Sequence, residues 1–228
     1  MKLSRSLGVV LDTGTEKGIV AISEEGKLLF SKEIPSGLQN SKYLLPCLAD
    51  AFQELHAAPA DCQYIATGVG PGSYTGIRVA VAVAKTWAYV HKLPLLAIPT
   101  IFGLVPHLPQ PFAAMIDARI GGVYLTFGHA AGRGFTQEDP GLVSLEEACR
   151  LIQARGVSLI VTPHGSLKEK AAWPVNCQWE EQGLSPEWLA KLAYAKFLRG
   201  EAAPNYQVEI LYLRKTQAEI EKEKQSGK

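Results

Sequence analysis

Four glycines, a proline, a serine and a threonine crowd the stretch Gly68-Val69-Gly70-Pro71-Gly72-Ser73-Tyr74-Thr75-Gly76-Ile77-Arg78. Glycine-rich bends of this kind wrap backbone N–H groups around phosphates, so two phosphate-binding readings are tested first. A P-loop needs lysine and a hydroxyl residue after its last glycine, to meet phosphate and magnesium; Ile77 and Arg78 follow Gly76, and that reading fails. A dinucleotide fold needs an acid at the end of the next strand, to hold the ribose. The next strand candidate, residues 95–98, runs into Pro99 and Thr100, and Pro71 removes a backbone donor from the bend itself. A strand-to-helix corner without a ligand stands beside these readings. Elsewhere, none of His56, His91, His107, His129 and His164 pairs with another histidine four residues on, so there is no zinc-peptidase pattern. His91 closes a helix, where the dipole favours an imidazolium. Ser73 lies in Gly-Pro-Gly-Ser and not in a nucleophile elbow. Asp117-Ala118-Arg119 could form an acid–base pair; the milder reading is a turn whose carboxylate caps backbone and whose arginine is wet.

These residues need elements to hold them. The apolar run 64–69 ahead of the bend reads as the body of a strand over 63–69, and the Ala/Val-rich segment ending near His91 as a helix. Glycine opens φ/ψ values closed to other residues, Pro71 stiffens the bend, and Ser73 or Thr75 can cap the helix. Upstream, residues 7–11 read as a buried strand, Asp12-Thr13-Gly14-Thr15 as a turn, and 18–23 with 27–34 as strands joined through Glu24-Glu25-Gly26. An amphipathic helix covers about 41–57, with Leu44, Leu48, Phe52 and Leu55 in one stripe and Leu45 beside it; Pro46 requires a late start or a kink. Strand, strand, strand, helix, strand, helix, strand is the ribonuclease-H-like α/β order, a mixed sheet with helices packed on it. The second half repeats the theme in shorter form: strands at 112–116 and 123–128, a loop at 132–141, a capping box at Ser144-Leu145-Glu146-Glu147, a strand at 157–162 and a helix after Ser185. In that last helix Leu189, Leu192, Ala193 and Phe197 face inward and Gly200 ends it. The expected organisation is an N-terminal domain over 1–99, a smaller α/β domain over 100–213, and a charged tail over 214–228 that is helical or disordered.

The helix after the bend is unusual. Val79 to Ala84 make it apolar almost all round, with one narrow stripe of Arg78, Lys85 and Tyr89 and with Ala82 between them at helical spacing. Ala80, Ala84 and Ala88 line another side, where a second helix can come close. Two readings stay open. Either this is a central helix whose basic groups snorkel to water, or one face is covered by another polypeptide.

Composition excludes several classes. The hydrophobic fraction of 47% and charged fraction of 20% are those of an ordinary globular chain, and a net charge of +1 supplies no field to draw in nucleic acid or anionic membrane. Cys47, Cys62, Cys149 and Cys177 are far apart, which suits neither zinc nor a disulfide framework and fits a reduced interior. The N-terminal apolar run is too short for a signal or membrane segment, so a cytoplasmic location is expected.

A strand, a turn holding Asp-Thr-Gly-Thr and two antiparallel strands resemble the opening of actin-like ATPase domains, where the turn approaches nucleotide phosphate or its metal. The local reading is that Asp12 and Thr13 satisfy nearby backbone donors. A closer resemblance rests on residues 68–85, Gly-Val-Gly-Pro-Gly-Ser-Tyr-Thr-Gly-Ile-Arg-Val-Ala-Val-Ala-Val-Ala-Lys, which are similar to the signature of the TsaB (YeaZ) family. The Asp12-Thr13 start, Ser41 with Leu44-Leu45-Pro46, Leu93-Pro94-Leu95, Asp117-Ala118-Arg119 with Val123-Tyr124, and Tyr212-Leu213-Arg214 fall in family order; Asn40 stands where the family often has histidine.

That resemblance implies an actin-like (ribonuclease-H-like) duplicated fold and a role in making threonylcarbamoyladenosine in tRNA. It implies a non-catalytic partner of TsaD, meeting TsaE and tRNA through the complex, pairing with its own copy when alone, and needing no cofactor. The paralogue TsaD carries a metal-binding His-x-x-x-His after the fifth strand; the corresponding positions here are Thr100 and Leu104, which cannot hold a metal against water. The expected contact residues are Leu45 and Leu48 on the first helix and Arg78, Ala82, Lys85 and Tyr89 on the second, with Gly70, Pro71, Gly72 and Gly76 as the structural turn. A different class, a stand-alone actin-like ATPase or small-molecule kinase, would place Asp12, Thr13 and Thr15 near phosphate and magnesium. It needs a second phosphate turn and an adenosine pocket, and 112–200 shows neither. A metallopeptidase lacks its ligands.

Overall fold

Alternation along the first strand sorts the core into two layers. The computed structural model describes residues 5–35, 40–119, 122–131 and 134–212. In β1 (Leu7–Asp12), Leu7, Val9 and Leu11 join one apolar cluster and Val10 another, as a side-chain period of two requires. Gly8 lies on the Val10 side because the Tyr64 ring lies there: a Cβ at Gly8 would stand 2.0 Å from Tyr64 Cζ. β2 (Lys17–Glu24) and β3 (Lys27–Pro35) complete an antiparallel meander through Glu25 and Gly26, whose φ values of 51° and 77° are those of a tight hairpin turn. β4 (Cys62–Gly68) and β5 (Leu95–Ile98) add in parallel on the other side of β1, giving the order β3-β2-β1-β4-β5.

Two helices cover one face of this sheet, α1 (Asn40–Glu54) and α2 (Tyr74–His91). α1 does not begin late: it runs through Pro46, which is exposed, so the Lys42 carbonyl that loses its donor can turn to water. Leu44, Cys47, Leu48, Ala51 and Phe52 of α1 are buried with Ala80, Ala84 and Ala88 of α2. The alanine row is therefore spent inside the chain, letting α2 lie close to the sheet and to α1, and Phe52 stacks on Trp87 at 5.7 Å. Such a ring pair adds about 1 kcal/mol to the area it buries.

The second sheet repeats the plan. β6 (Pro111–Asp117), β7 (Gly122–Ala131) and β8 (Gly134–Gln137) form the meander, β9 (Gly141–Ser144) also pairs with β7, and β10 (Leu159–Thr162) and β11 (Gln178–Glu181) add in parallel beside β6. The loop expected over 132–141 thus holds β8 and the start of β9 in its described part, from 134 on. β8 and β9 took no apolar alternation to form; they are held by the exposed backbone of β7. α3 (Leu145–Ala154) is capped by the Ser144 hydroxyl accepting from Glu147 N–H at 3.1 Å, and covers the outer face. α4 (Pro186–Leu198), capped by Ser185, comes from the second half of the chain but packs against β1, β2, β3 and β5 of the first sheet. Leu189 and Ala193 are buried there, and Phe197 stacks on Tyr64 at 4.8 Å. One cluster then runs from the first sheet through α4 to Phe112, Ala114 and Ile116 of the second. This is the duplicated ribonuclease-H-like, actin-like fold.

Beyond α4 the chain returns as a strap over 201–212. Ala203 N–H donates to Leu95 O at 2.8 Å and Leu211 N–H to Val69 O at 2.9 Å, while Val208, Ile210 and Leu211 pack on Val69, Ile77 and Val81. The tail 214–228, Leu213 and the side chains of Asn40 and Ser41 lie outside the described residues. Among the described residues no helix is long and apolar enough to cross a membrane.

Candidate partner interface

The glycine bend is closed by its own chain. β4 delivers it, and its glycines are there because neighbouring atoms fill the space a side chain would need. A Cβ at Gly68 would stand 1.9 Å from Asp12 Oδ2, one at Gly72 2.1 Å from Gly14 O, and one at Gly76 1.9 Å from Thr13 O. Ser73 N–H donates to Gly14 O at 2.7 Å, the Thr13 hydroxyl donates to Gly76 O at 2.5 Å, and the Ser73 hydroxyl caps α2 by accepting from Gly76 N–H at 3.3 Å. The Gly70–Pro71 peptide is cis.

Asp12, Thr13 and Thr15 do not face a phosphate space: they are 1%, 0% and 6% exposed, under the bend. Thr15 donates to Lys17 O at 2.9 Å, which spends it inside the turn. Asp12 Oδ1 accepts from Gly14 N–H at 2.7 Å, and Oδ2 has no hydrogen-bond partner among the described residues. Burial pushes the Asp12 carboxyl up to about 6, against the opposing pull of Gly14 N–H and the Thr100 hydroxyl. Thr100 is itself buried and accepts from Gly70 N–H at 3.1 Å, tying the fifth strand's exit to the bend, and Leu104 is buried in the core. Among the described residues no three His, Cys, Asp or Glu side chains gather as a metal site.

At the mouth between the two sheets, Asp117 and Arg119 do not pair with each other's side chains. Asp117 Oδ1 accepts from Arg119 N–H at 2.7 Å, as the turn reading expects, and Lys170 Nζ donates to its other oxygen at 2.6 Å. Burial raises the Asp117 carboxyl, but Lys170 and the Arg119 N–H outweigh it and hold the group below its ordinary value. Arg119 reaches Glu16 at 2.8 Å, so the turns after β1 and β6 are joined by an exposed ion pair.

The outer face of α2 is an open surface. Arg78, Ala82, Lys85 and Tyr89 are all exposed and follow one another along it. On α1, Leu45 is 50% exposed, whereas Leu48 is 1% exposed and belongs to the core. The reason is helical geometry: Leu48 shares the inward stripe with Leu44, and Leu45 lies about a hundred degrees round from Leu44. Tyr43, Tyr74 and Val90 are further exposed apolar groups on the two helices. The strap adds Tyr212, whose hydroxyl accepts from Arg78 Nε at 2.9 Å, and Tyr206, whose ring stands edge-on to Tyr89 at 5.9 Å. Tyr212 sits in a motif legible in the sequence, but its pairing with α2 across so long a separation is not.

Comparison with known proteins follows this architecture. The family profile for TsaD, tRNA N6-adenosine threonylcarbamoyltransferase, matches residues 37–136. The tRNA threonylcarbamoyladenosine biosynthesis protein TsaB of Haemophilus influenzae is 24% identical over 90% of this chain and 92% of its own length. The Escherichia coli TsaB is 28% identical over 51% of this chain, and that match spans 52%, about half, of the E. coli protein. A crystal structure from Pseudomonas aeruginosa, described as similar to the peptidase YeaZ, superposes with a TM-score of 0.78 at 26% identity, covering 92% of this chain and all of that one.

These similarities support the TsaB (YeaZ) family. Within a TsaB fold the glycine bend lets β4, the Asp12 turn and the start of α2 interlock with backbone against backbone. On this side of the first sheet, exposed apolar side chains come from α1, α2 and the strap: Leu45, Tyr89 and Tyr212 among them.

Proposed function

We propose that this protein acts in forming threonylcarbamoyladenosine in tRNA as a non-catalytic subunit that binds TsaD. The contact is the exposed face of α1 and α2, with Leu45 and Ala82 near its centre and Arg78, Lys85 and Tyr89 as its polar members. TsaE and tRNA are reached through that complex, and the same face pairs with a second copy when TsaD is absent. The observation that carries the reading is a helix apolar nearly all round whose Ala82, Tyr89 and Val90 stay in solvent while its alanine row is buried. Exposed apolar groups clustered on adjacent helices mark a site of protein contact. The non-catalytic part is supported by where the polar residues have gone: Asp12, Thr13 and Thr100 are engaged with the backbone of the bend and of the turn beneath it.

The test is size-exclusion chromatography of this chain alone and mixed with TsaD from the same organism. A heterodimer peak that displaces a homodimer is expected. A chain that stays monomeric and elutes apart from TsaD overturns the proposal.

A further inference from the structure

Arg78 is presented on a built platform. Its guanidinium carbon lies 3.9 Å from the centroid of the Tyr74 ring, and its Nε donates to the Tyr212 hydroxyl at 2.9 Å. The two rings in turn pack on each other, with centroids 5.1 Å apart. Tyr74 opens α2 and Tyr212 ends the strap, so the platform exists only because the strap returns across the helix. With Nε occupied, the two terminal amino groups remain, the pair that grips a planar anion end-on.

Some exposed cations of the chain have found carboxylates: Arg5 meets Glu24, Lys17 meets Glu33, and Arg155 meets Glu138. Arg78 has no carboxylate at ion-pair distance among the described residues, and α2 contains no acidic residue at all. A positive group is thus fixed in place one turn from Ala82, with no carboxylate set against it among the described residues.

We infer that Arg78, held by Tyr74 and Tyr212, is a preformed receptor for a carboxylate side chain of the partner polypeptide, and that the strap builds this part of the interface. The inference rests on the α1–α2 face being the partner surface. Pre-ordering a long side chain removes part of the entropy cost that an arginine otherwise meets on binding. A carboxylate fits better than an RNA phosphate, because the exposed residue one turn on from Arg78 is Ala82, and Lys85 follows only two turns away. Phosphate tracking needs a run of cations.

The experiment is calorimetric titration of TsaD with the full chain and its Arg78→Ala, Arg78→Lys and Tyr212→Phe variants, at low and high salt. Arg78→Ala is expected to weaken binding about 10–100-fold with an unchanged melting temperature, and to flatten the salt dependence. Arg78→Lys is expected to lose nearly as much, since an ammonium does not stack or fork. Tyr212→Phe, which keeps the ring and removes the acceptor, is expected to lose about 3-fold. Wild-type affinity for Arg78→Ala alongside lost binding for Ala82→Arg overturns this inference and leaves the TsaD reading standing. No binding by the unmodified chain overturns both. Loss of tRNA affinity with unchanged TsaD affinity in Arg78→Ala assigns the platform to nucleic acid and also overturns it.

Discussion

Asp12 holds the costliest charge among the described residues. Its carboxyl is fully enclosed, one oxygen is unpaired, and its value stands near 6 where an exposed one stands at 3.8. The folded state therefore binds this proton more tightly than the unfolded chain does. Its penalty is complete above about 6, shrinks as the pH falls through that value, and is gone below 3.8. The gap corresponds to at most about 3 kcal/mol. Asp12→Asn is expected to raise unfolding free energy by about 1–3 kcal/mol at pH 8, with the gain vanishing toward pH 4. Denaturant unfolding of both proteins across that range measures it; a variant that is less stable than wild type at pH 8 contradicts it. Leu45 and Leu48 give a second contrast. Leu48→Ala is expected to cost about 2–5 kcal/mol because it empties the core between α1 and the sheet. Leu45→Ala should change stability by less than about 0.5 kcal/mol, since half of the residue faces water. Thermal melts of the pair distinguish the two. The sequence put both leucines beside each other on one interface; about a hundred degrees of helix separates the core from the surface there, and only packing says which side is which.

At the scale of elements, the bend and the turn after β1 act as one unit. Residues 12–15 and 68–76 interlock through Ser73 N–H to Gly14 O and Thr13 hydroxyl to Gly76 O, with no side chain between them at Gly68, Gly72 or Gly76. Gly76→Ala pushes a methyl to 1.9 Å from the Thr13 carbonyl, a backbone atom that cannot swing away. A loss of about 3 kcal/mol or more is expected, read as a fall in the denaturant midpoint; a midpoint within error of wild type contradicts the interlock. The strands of the first sheet, the capped helices and the bend were legible because each carries its own local signal: alternation, a cap, or a glycine cluster. β8, β9 and β11 were not, because short strands with exposed patterns are made by their neighbours' unpaired backbone. Pro46 misled in the other direction, since an exposed helix turn tolerates the lost bond.

On the scale of the whole molecule, α4 and the strap bind the two halves of the sequence to the first sheet, one on each face. α4 fills the face opposite α2, and the strap covers the Ile77–Val81 edge of α2 itself. A band across α1 and the outer side of α2, running past Ala82, stays open. Its position followed from the sequence stripe; the strap's share in it did not, because nothing local links Tyr212 to Arg78. The direct measurement is titration of TsaD with wild type and Ala82→Arg. A long charged side chain at an exposed helix position is expected to leave the melting temperature within about 2 °C and to abolish the binding heat. Ala82→Arg binding TsaD as tightly as wild type would contradict the account.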